Sequence, residues 1–366
     1  MKDPRCRISI SRYLVLAVLL CLAVGCTRGT PTPSATPVAK PVVTTAPVAT
    51  VEATATKPSS AAYPVTVTDG LQRSVTFTKK PLRIISLAPK NTEILFAMGL
   101  GDQIVGNTTY CNYPPAAKDK EKIGGFSARA ISLEKVIALK PDVVLAAGDL
   151  HRSLINELER LEIPVLALDA ESLDDLCDEF ELLGRVTQTE QVATTLATDL
   201  RQRIAAVKSI AAKIPEAERA TVLYVAWDEP LTVAGPTSYI GQLISFCGAR
   251  NVVGDTSARF PQVSQEVLLA RNPTVIIAPA MASVPVTVDS LKAKTGWSQL
   301  RAIQEGRVYV MDGDMLSRCG PRLADALEQM AHEIYPDRFP SVGQTAAANA
   351  KPAAAATQDA SPTVQP

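Results

Sequence analysis

Two short segments carry the same acid at the same place. "ISLEKVIALKP" spans residues 131–141 and "VSQEVLLARNP" spans 263–273; Ser132 and Ser264, Glu134 and Glu266, and Pro141 and Pro273 each stand 132 residues apart. A serine two residues before a glutamate reads as a helix N-cap followed by a first-turn carboxylate, favoured there by about 0.3–1 kcal/mol. A carboxylate at a helix tip also suits charge-assisted contact with a partner's arginine. Other chemistry is sparse. The only histidines are His151 and His332, in separate predicted helices, so no paired-histidine metal centre is indicated. The chain has no Ser–His–Asp order, no GxxxxGK and no HExxH. Gly124-Gly125 precedes no clear phosphate-binding helix. Cys111, Cys177, Cys247 and Cys319 match no zinc spacing. Outside the cytoplasm four cysteines allow three full disulfide pairings, and the spacing selects none.

The elements that must position these residues come next. The chain has 366 residues, enough for two domains with sizeable cores. Hydrophobic residues make up 46% and charged residues 20%, as in a soluble globular protein. Thirty-seven basic residues balance 37 acidic ones, and there is no long basic run. Nucleic acid is therefore not an indicated partner. Residues 1–25 read as a signal peptide: Lys2, Arg5, Arg7 and Arg12 precede the apolar run Tyr13 to Gly25. The small Gly25 directly before Cys26 reads as a bacterial lipoprotein signal, with Cys26 the lipidated residue. Residues 26–62, mostly Thr, Pro, Ala and Val, read as a disordered tether reaching up to about 110 Å. Residues 343–366 have the same character.

Between these ends the pattern predicts an α/β fold. "VTVTDGLQRSVTF" alternates around Asp69-Gly70 as a hairpin does. Buried-type strands then alternate with helices: "RIISLAP", "NTEILFAMGLG", "QIVGNT", "SLEKVIALK", "DVVLAAG", "HRSLINELERLE" and "IPVLALD". Asn91 or Thr92 is the expected cap of the first helix, and Glu93 complements its positive end. Residues 172–215 read as a helical region interrupted, if anywhere, at Gly184, leaving a bridging helix of about 45 Å. The strand–helix order then restarts with "ATVLYVAW", and "VVG" at 252–254 echoes "IVG" at 104–106. The expectation is two similar lobes, 63–171 and 216–342, with parallel-type sheets, a long bridging helix and a ligand cleft between them.

These segments resemble the helical-backbone class of periplasmic binding proteins that serve ABC importers for cobalamin, haem or ferric siderophores. The resemblance lies in "RIISLAPKNTEILFAMGLGDQIVG", "YCNYPPAA", "SLEKVIALKPDVVLA", "LISFCGARNVVGD", "PQVSQEVLLARNPTVIIA" and "SRCGPRLADALEQMA". "YCNYPP", "PQVSQE" and "GPRLADALE" tilt it toward the cobalamin branch. The resemblance implies an extracytoplasmic protein, lipid-anchored to the membrane, that captures cobalamin or a related corrinoid and does no chemistry. It needs no cofactor of its own, and its partner is an importer permease with its ATPase. Tyr110, Phe126, Trp227 and Phe260 match the cleft aromatics; Asp314, Ser317 and Arg318 match a polar rim loop. Glu134 and Glu266 match the glutamates, one per lobe, that engage arginine pockets on the permease. Tyr113 is expected to pack beside Pro114, Trp297 to pack at a helix start outside the site, and His151 to be a capping or solvated residue. Haem, with Tyr110 as axial ligand, and a siderophore, with Arg318 and Arg129, are the alternatives of the same class. An enzyme on the same fold and a tethered adhesin are more distant ones.

Overall fold

Alternation along each strand decides where the cores form. The computed structural model describes residues 63–280 and 286–340. These belong to one unit, Thr56–Pro366; a separate unit, Met1–Ala55, and with it the signal segment and Cys26, lies outside the described residues, as do the end of the tether and the C-terminal tail. The chain opens with the hairpin β1 (Val65–Thr68) and β2 (Ser74–Phe77), antiparallel with Val65 opposite Phe77. Asp69 is buried at its turn and accepts from the backbone N–H of Leu71, Arg73 and Ala167. The turn is thereby stitched to the first sheet.

That sheet contains β3 (Ile84–Ser86), β4 (Ile104–Asn107), β5 (Val143–Ala147) and β6 (Val165–Leu168), in the order β4-β3-β5-β6 and all parallel. Between the strands run α1 (Pro89–Ala97), α2 (Leu133–Ala138) and α3 (Arg152–Arg160). The expected cap of α1 is corrected: Ala88 occupies the N-cap and Pro89 begins the helix, so Asn91 and Thr92 lie inside it. Proline suits that position because its missing N–H would be unpaired there anyway. Gly99, at φ 73°, follows the end of the helix.

The bridging region is a helical hairpin, which corrects the single long helix. It comprises α4 (Leu173–Thr187) and α5 (Glu190–Ala211). The break falls at Gln188, a left-handed residue at φ 54°, and Gly184 stays helical. Gly184 is needed there for packing: a Cβ on it would stand 2.7 Å from Ala193 Cβ. At ~1.5 Å per residue the longer arm spans about 33 Å.

The second sheet holds β7 (Thr221–Trp227), β8 (Thr232–Val233), β9 (Arg250–Asn251), β10 (Val275–Ala280) and β11 (Val308–Asp312). β11, β10, β7 and β9 are parallel neighbours in that order, and β8 adds an antiparallel strand on β7. β9 ends before the "VVG" run, so the expected strand there is displaced toward Arg250. Helices α6 (Tyr239–Phe246), α7 (Gln265–Arg271), α8 (Val288–Lys292), α9 (Arg301–Gln304), α10 (Gly313–Ser317) and α11 (Leu323–Ile334) complete this lobe.

The order β9-β7-β10-β11 matches β4-β3-β5-β6, so the two lobes share one plan. Their correspondence extends to single bonds. Asp142 accepts from the N–H groups of Leu82 and Arg83 where β3 begins, at 2.9 Å each; 132 residues later Thr274 accepts from Thr221 N–H where β7 begins, also at 2.9 Å. Lys140 and Asn272, the paired residues before the two prolines, both adopt left-handed backbone, at φ 46° and 42°.

Each sheet sends alternate residues to opposite faces. Ile85, Val144 and Ala167 pack in an outer core of the first lobe; Leu223, Ile276 and Ala278 pack in an outer core of the second. Ile84, Val143 and Leu166 instead join Val222, Val275 and Ile277 in one continuous inner core that runs through α4, α5 and α11. Both lobes are therefore fastened to one apolar spine.

Candidate functional site

Parallel strands deliver their following loops to the carboxyl edge of a sheet, where ligands of open α/β folds are held. The segments after β4, β9 and β11 and the end of β7 carry the predicted ligand-site residues. Five large aromatic side chains there face solvent: Tyr110 is 57% exposed, Trp227 54%, Tyr113 44%, Phe126 43% and Phe260 42%. Exposed aromatics of this size mark an interaction site more often than a scattered surface leucine does.

Tyr110 and Phe126 meet edge to face, with ring centroids 6.3 Å apart. Phe126 sits on a tight loop. Gly125 N–H donates to Ala130 O at 2.8 Å, Ala130 N–H donates to Ser127 O at 2.9 Å, and Thr109 N–H donates to Gly124 O at 2.9 Å. Gly124, at φ 132°, is required by the close approach, because a Cβ would fall 2.2 Å from Ala130 O. Trp227 and Phe260 stand on neighbouring segments of the second lobe. Trp227 pairs with Thr232, which bridges to Gln262, two residues beyond Phe260. The Trp227 indole N–H donates to Glu229 O at 3.1 Å.

The rim residues Asp314 and Arg318 belong to a polar network that crosses the lobes. Arg318 is nearly buried, its side chain 9% exposed. It donates to Glu93 Oε1 at 2.7 Å, to Asn112 Oδ1 at 2.8 Å and to Tyr110 O at 3.3 Å, and pairs with Asp314 at 2.9 Å. Asn112 in turn donates to Asp314 Oδ2 at 2.7 Å. Arg322 donates to both oxygens of Glu93 at 2.8 Å and lies 4.1 Å over the Tyr113 ring. Tyr113 thus packs under a guanidinium. Glu93, on α1 of the first lobe, is a buried carboxylate shared by two arginines of the second. The hydrogen bond it makes with Arg322 helps keep that guanidinium protonated. Arg259 also crosses the lobes to pair with Glu171. Glu93 and Arg322 were missed as site residues. The one available signal was an arginine inside "GPRLADALE"; Glu93 follows Lys90, Asn91 and Thr92 in α1 and does not stand out there.

His151 is fully buried, which overturns the solvated expectation; it stands at the N-cap position of α3, but its side chain caps no N–H of that helix. It receives Ala147 N–H at Nδ1, 3.0 Å away, and its Nε2 stands 2.8 Å from Phe126 O. Burial lowers its pKa from the usual imidazole value, against the opposing pull of the Phe126 carbonyl. The four cysteines are free and buried, and burial pushes the Cys319 thiol up to about 12. Trp297 is packed in the outer core of the second lobe.

Glu134 and Glu266 are exposed second residues of α2 and α7. Ser132 accepts from Lys135 N–H at 3.3 Å, and Ser264 accepts from Val267 N–H at 3.4 Å, as the repeated serines predicted. The Ser264 hydroxyl lowers the pKa of Glu266. Beside α7 a recess of about 310 Å³ opens between Val253, Pro261, Val263, Val267 and the Asp255–Arg271 ion pair.

Residues 84–315 match the family model described as periplasmic binding protein. The chain belongs to that family. This periplasmic binding protein is 33% identical over 293 residues to an ABC transporter substrate-binding lipoprotein of Bacillus subtilis, YvrC, itself described as uncharacterized; the match covers 77% of this chain and 89% of that one. It is 33% identical over 259 residues to the vitamin B12-binding protein of Pectobacterium carotovorum, covering 69% and 88%. Among solved structures it resembles the periplasmic vitamin B12 binding protein BtuF of Vibrio cholerae, with TM-score 0.59, 28% identity and coverage of 69% and 96%. It also resembles the periplasmic heme-binding protein RhuT of Roseiflexus, with TM-score 0.61, 26% identity and coverage of 69% and 98%. It is a substrate-binding protein of an ABC transporter, with the two-lobe α/β fold of its class. Such proteins bind a transported ligand and require no catalytic cofactor.

Proposed function

We propose that this substrate-binding protein captures cobalamin or a related corrinoid between its lobes, is lipid-anchored through Cys26 on the extracytoplasmic side, and delivers its ligand to a permease. The observation that carries the ligand assignment is the set of exposed aromatics, Tyr110 and Phe126 on one lobe and Trp227 and Phe260 on the other. A corrin has broad, partly apolar faces, and rigid aromatic side chains cover such faces at little entropic cost. Two vitamin B12-binding relatives, matched over 88% and 96% of their own length, support the assignment.

Asp314, its side chain 40% exposed, remains a polar contact for the amide rim. Arg318 braces the site from behind, because its guanidinium is already engaged by Glu93, Asn112 and Asp314. That engagement removes Arg318 from the two basic residues expected to meet an anionic siderophore and leaves the exposed Arg129. Haem is the second reading, favoured by the exposed Tyr110 ring and the heme-binding neighbour. Calorimetry and visible spectra with cyanocobalamin, hemin and a ferric hydroxamate separate these. Saturable one-to-one binding of cyanocobalamin alone is expected; a shifted hemin spectrum without cyanocobalamin binding would replace the corrinoid by haem.

Docking is assigned to Glu134 and Glu266. Each is an exposed acid at the tip of a short capped helix, one in each lobe, at corresponding positions of the repeat. Paired acids suit arginine pockets because charge-assisted bonds fix geometry and speed encounter.

A further inference from the structure

The imidazole of His151 is clamped between two backbone groups with opposite requirements. Ala147 N–H can only donate, so Nδ1, 3.0 Å away, must present a lone pair. The single proton of the neutral ring is then on Nε2, which donates to Phe126 O at 2.8 Å. The ring also meets the Phe126 ring edge to face at 6.2 Å, and Phe126 meets Tyr110. One buried side chain thus ties the end of β5 to the apex of the aromatic loop. A second proton would go to Nδ1 and set an N–H against the Ala147 N–H. The charged ring can relieve that clash only by turning away from Ala147, which carries Nε2 off Phe126 O and frees the loop, although the Phe126 carbonyl taken alone would hold an imidazolium more tightly.

Charged groups around the ring do not replace that bond. Asp149 and Arg152, on its own segment, pair with each other. Arg129 lies on the short 3-10 helix Ala128–Ala130 that packs against α3. The Asp169 carboxylate approaches the backbone of Gly148 from the end of β6. Among the described residues, the hydrogen bonds of the imidazole go to Ala147 and Phe126.

We propose that His151 is a positioning residue for ligand capture: the neutral Nε2–H tautomer holds the Phe126 loop in place, and protonation at Nδ1 releases it and weakens binding in acid. This rests on reading Phe126 as a ligand contact. The sign follows from linkage. The open loop exposes an ordinary imidazole, which binds a proton at higher pH than the clamped one, so acidification below about pH 6.5 favours the open loop.

The test measures cyanocobalamin affinity by calorimetry at about pH 7.5 and about pH 5 in wild type and in His151→Gln. Glutamine can still donate to Phe126 O and does not titrate. Wild type should lose about fivefold in affinity on acidification, the worth of one hydrogen bond. His151→Gln should change less than about twofold over the same range. Asp169, whose carboxyl is pushed up by burial, titrates in both proteins, so the difference isolates His151. A flat wild-type profile, or the same slope in His151→Gln, overturns the proposal. Two ligand-free readouts keep it separable from the corrinoid reading. The imidazole nitrogen resonances of wild type at neutral pH must report an unprotonated Nδ1; a protonated Nδ1 overturns the clamp even if cyanocobalamin binds. Amide exchange over residues 124–131, corrected for intrinsic rates, should quicken in acid. If it does while cyanocobalamin fails to bind, the clamp stands and the ligand reading falls.

Discussion

Arg318 and Glu93 exchange the roles that their types suggest in isolation. An arginine on a loop reads as a ligand contact and a glutamate near a helix start reads as a dipole partner. Burial decides otherwise: the Glu93 side chain is 2% exposed and is shared by Arg318 and Arg322. Removing one member of a buried ionic cluster strands the others. Glu93→Ala should therefore destabilise the protein by about 3 kcal/mol in urea unfolding, whereas Glu134→Ala, at an exposed helix tip, should change stability by less than about 1 kcal/mol. At the ligand face, Trp227→Ala should weaken cyanocobalamin binding about tenfold by calorimetry without lowering the urea midpoint, since an exposed aromatic anchors a ligand more than it anchors the fold. The aromatic candidates were legible through the family resemblance, which matched Tyr110, Phe126, Trp227 and Phe260 to cleft positions. Glu93 was not, because one-dimensional context cannot report a partner 225 residues away.

At the scale of elements, the repeated segments behave as their spacing predicts at the start and diverge at the end. Ser132 and Ser264 cap α2 and α7, so replacing either with alanine should cost about 1 kcal/mol. After each helix comes a left-handed residue, but only Asn272 uses its side chain there, accepting Arg301 N–H at 2.8 Å. Lys140→Gly should stabilise the protein by about 0.5 kcal/mol, because glycine removes the left-handed penalty at a smaller entropic cost. Asn272→Gly should instead destabilise it by about 0.5–1 kcal/mol through loss of that bond. Thermal melts of the two variants should move in opposite directions. The bridge was legible as helical but not as a hairpin. "VTQTEQ" carries no proline or glycine, and only tertiary packing rewards a left-handed Gln188 that folds α5 back on α4.

At the scale of the molecule, one inner core and a polar network tie the lobes together. The core joins Ile84 and Val143 to Val222 and Val275 through α4 and α5. The network joins Glu93 and Asn112 to Asp314, Arg318 and Arg322. Ligand binding should therefore produce small adjustments rather than wide hinge closure. Spin labels on the two lobes, measured by pulsed dipolar spectroscopy, should show a single distance that cyanocobalamin barely shifts, and a broadened one in Glu93→Gln/Asn112→Ala. In vesicles containing the permease, Glu134→Ala/Glu266→Ala should leave ligand affinity unchanged and cut transport at least about tenfold, as expected when charged docking contacts are lost. Full transport by that double variant would remove the docking role.

Local periodicity by itself determined the α/β class, the two similar lobes and the serine caps, because alternation, capping and turn chemistry act within a few residues; the aromatic candidates came from the family resemblance. Tertiary structure alone decided that Arg318 braces the site, that Glu93 is shared across the lobes, that the bridge folds back at Gln188 and that His151 is buried under Phe126. Those outcomes depend on which distant groups are brought together and which are dried, and spacing along the chain carries no record of either.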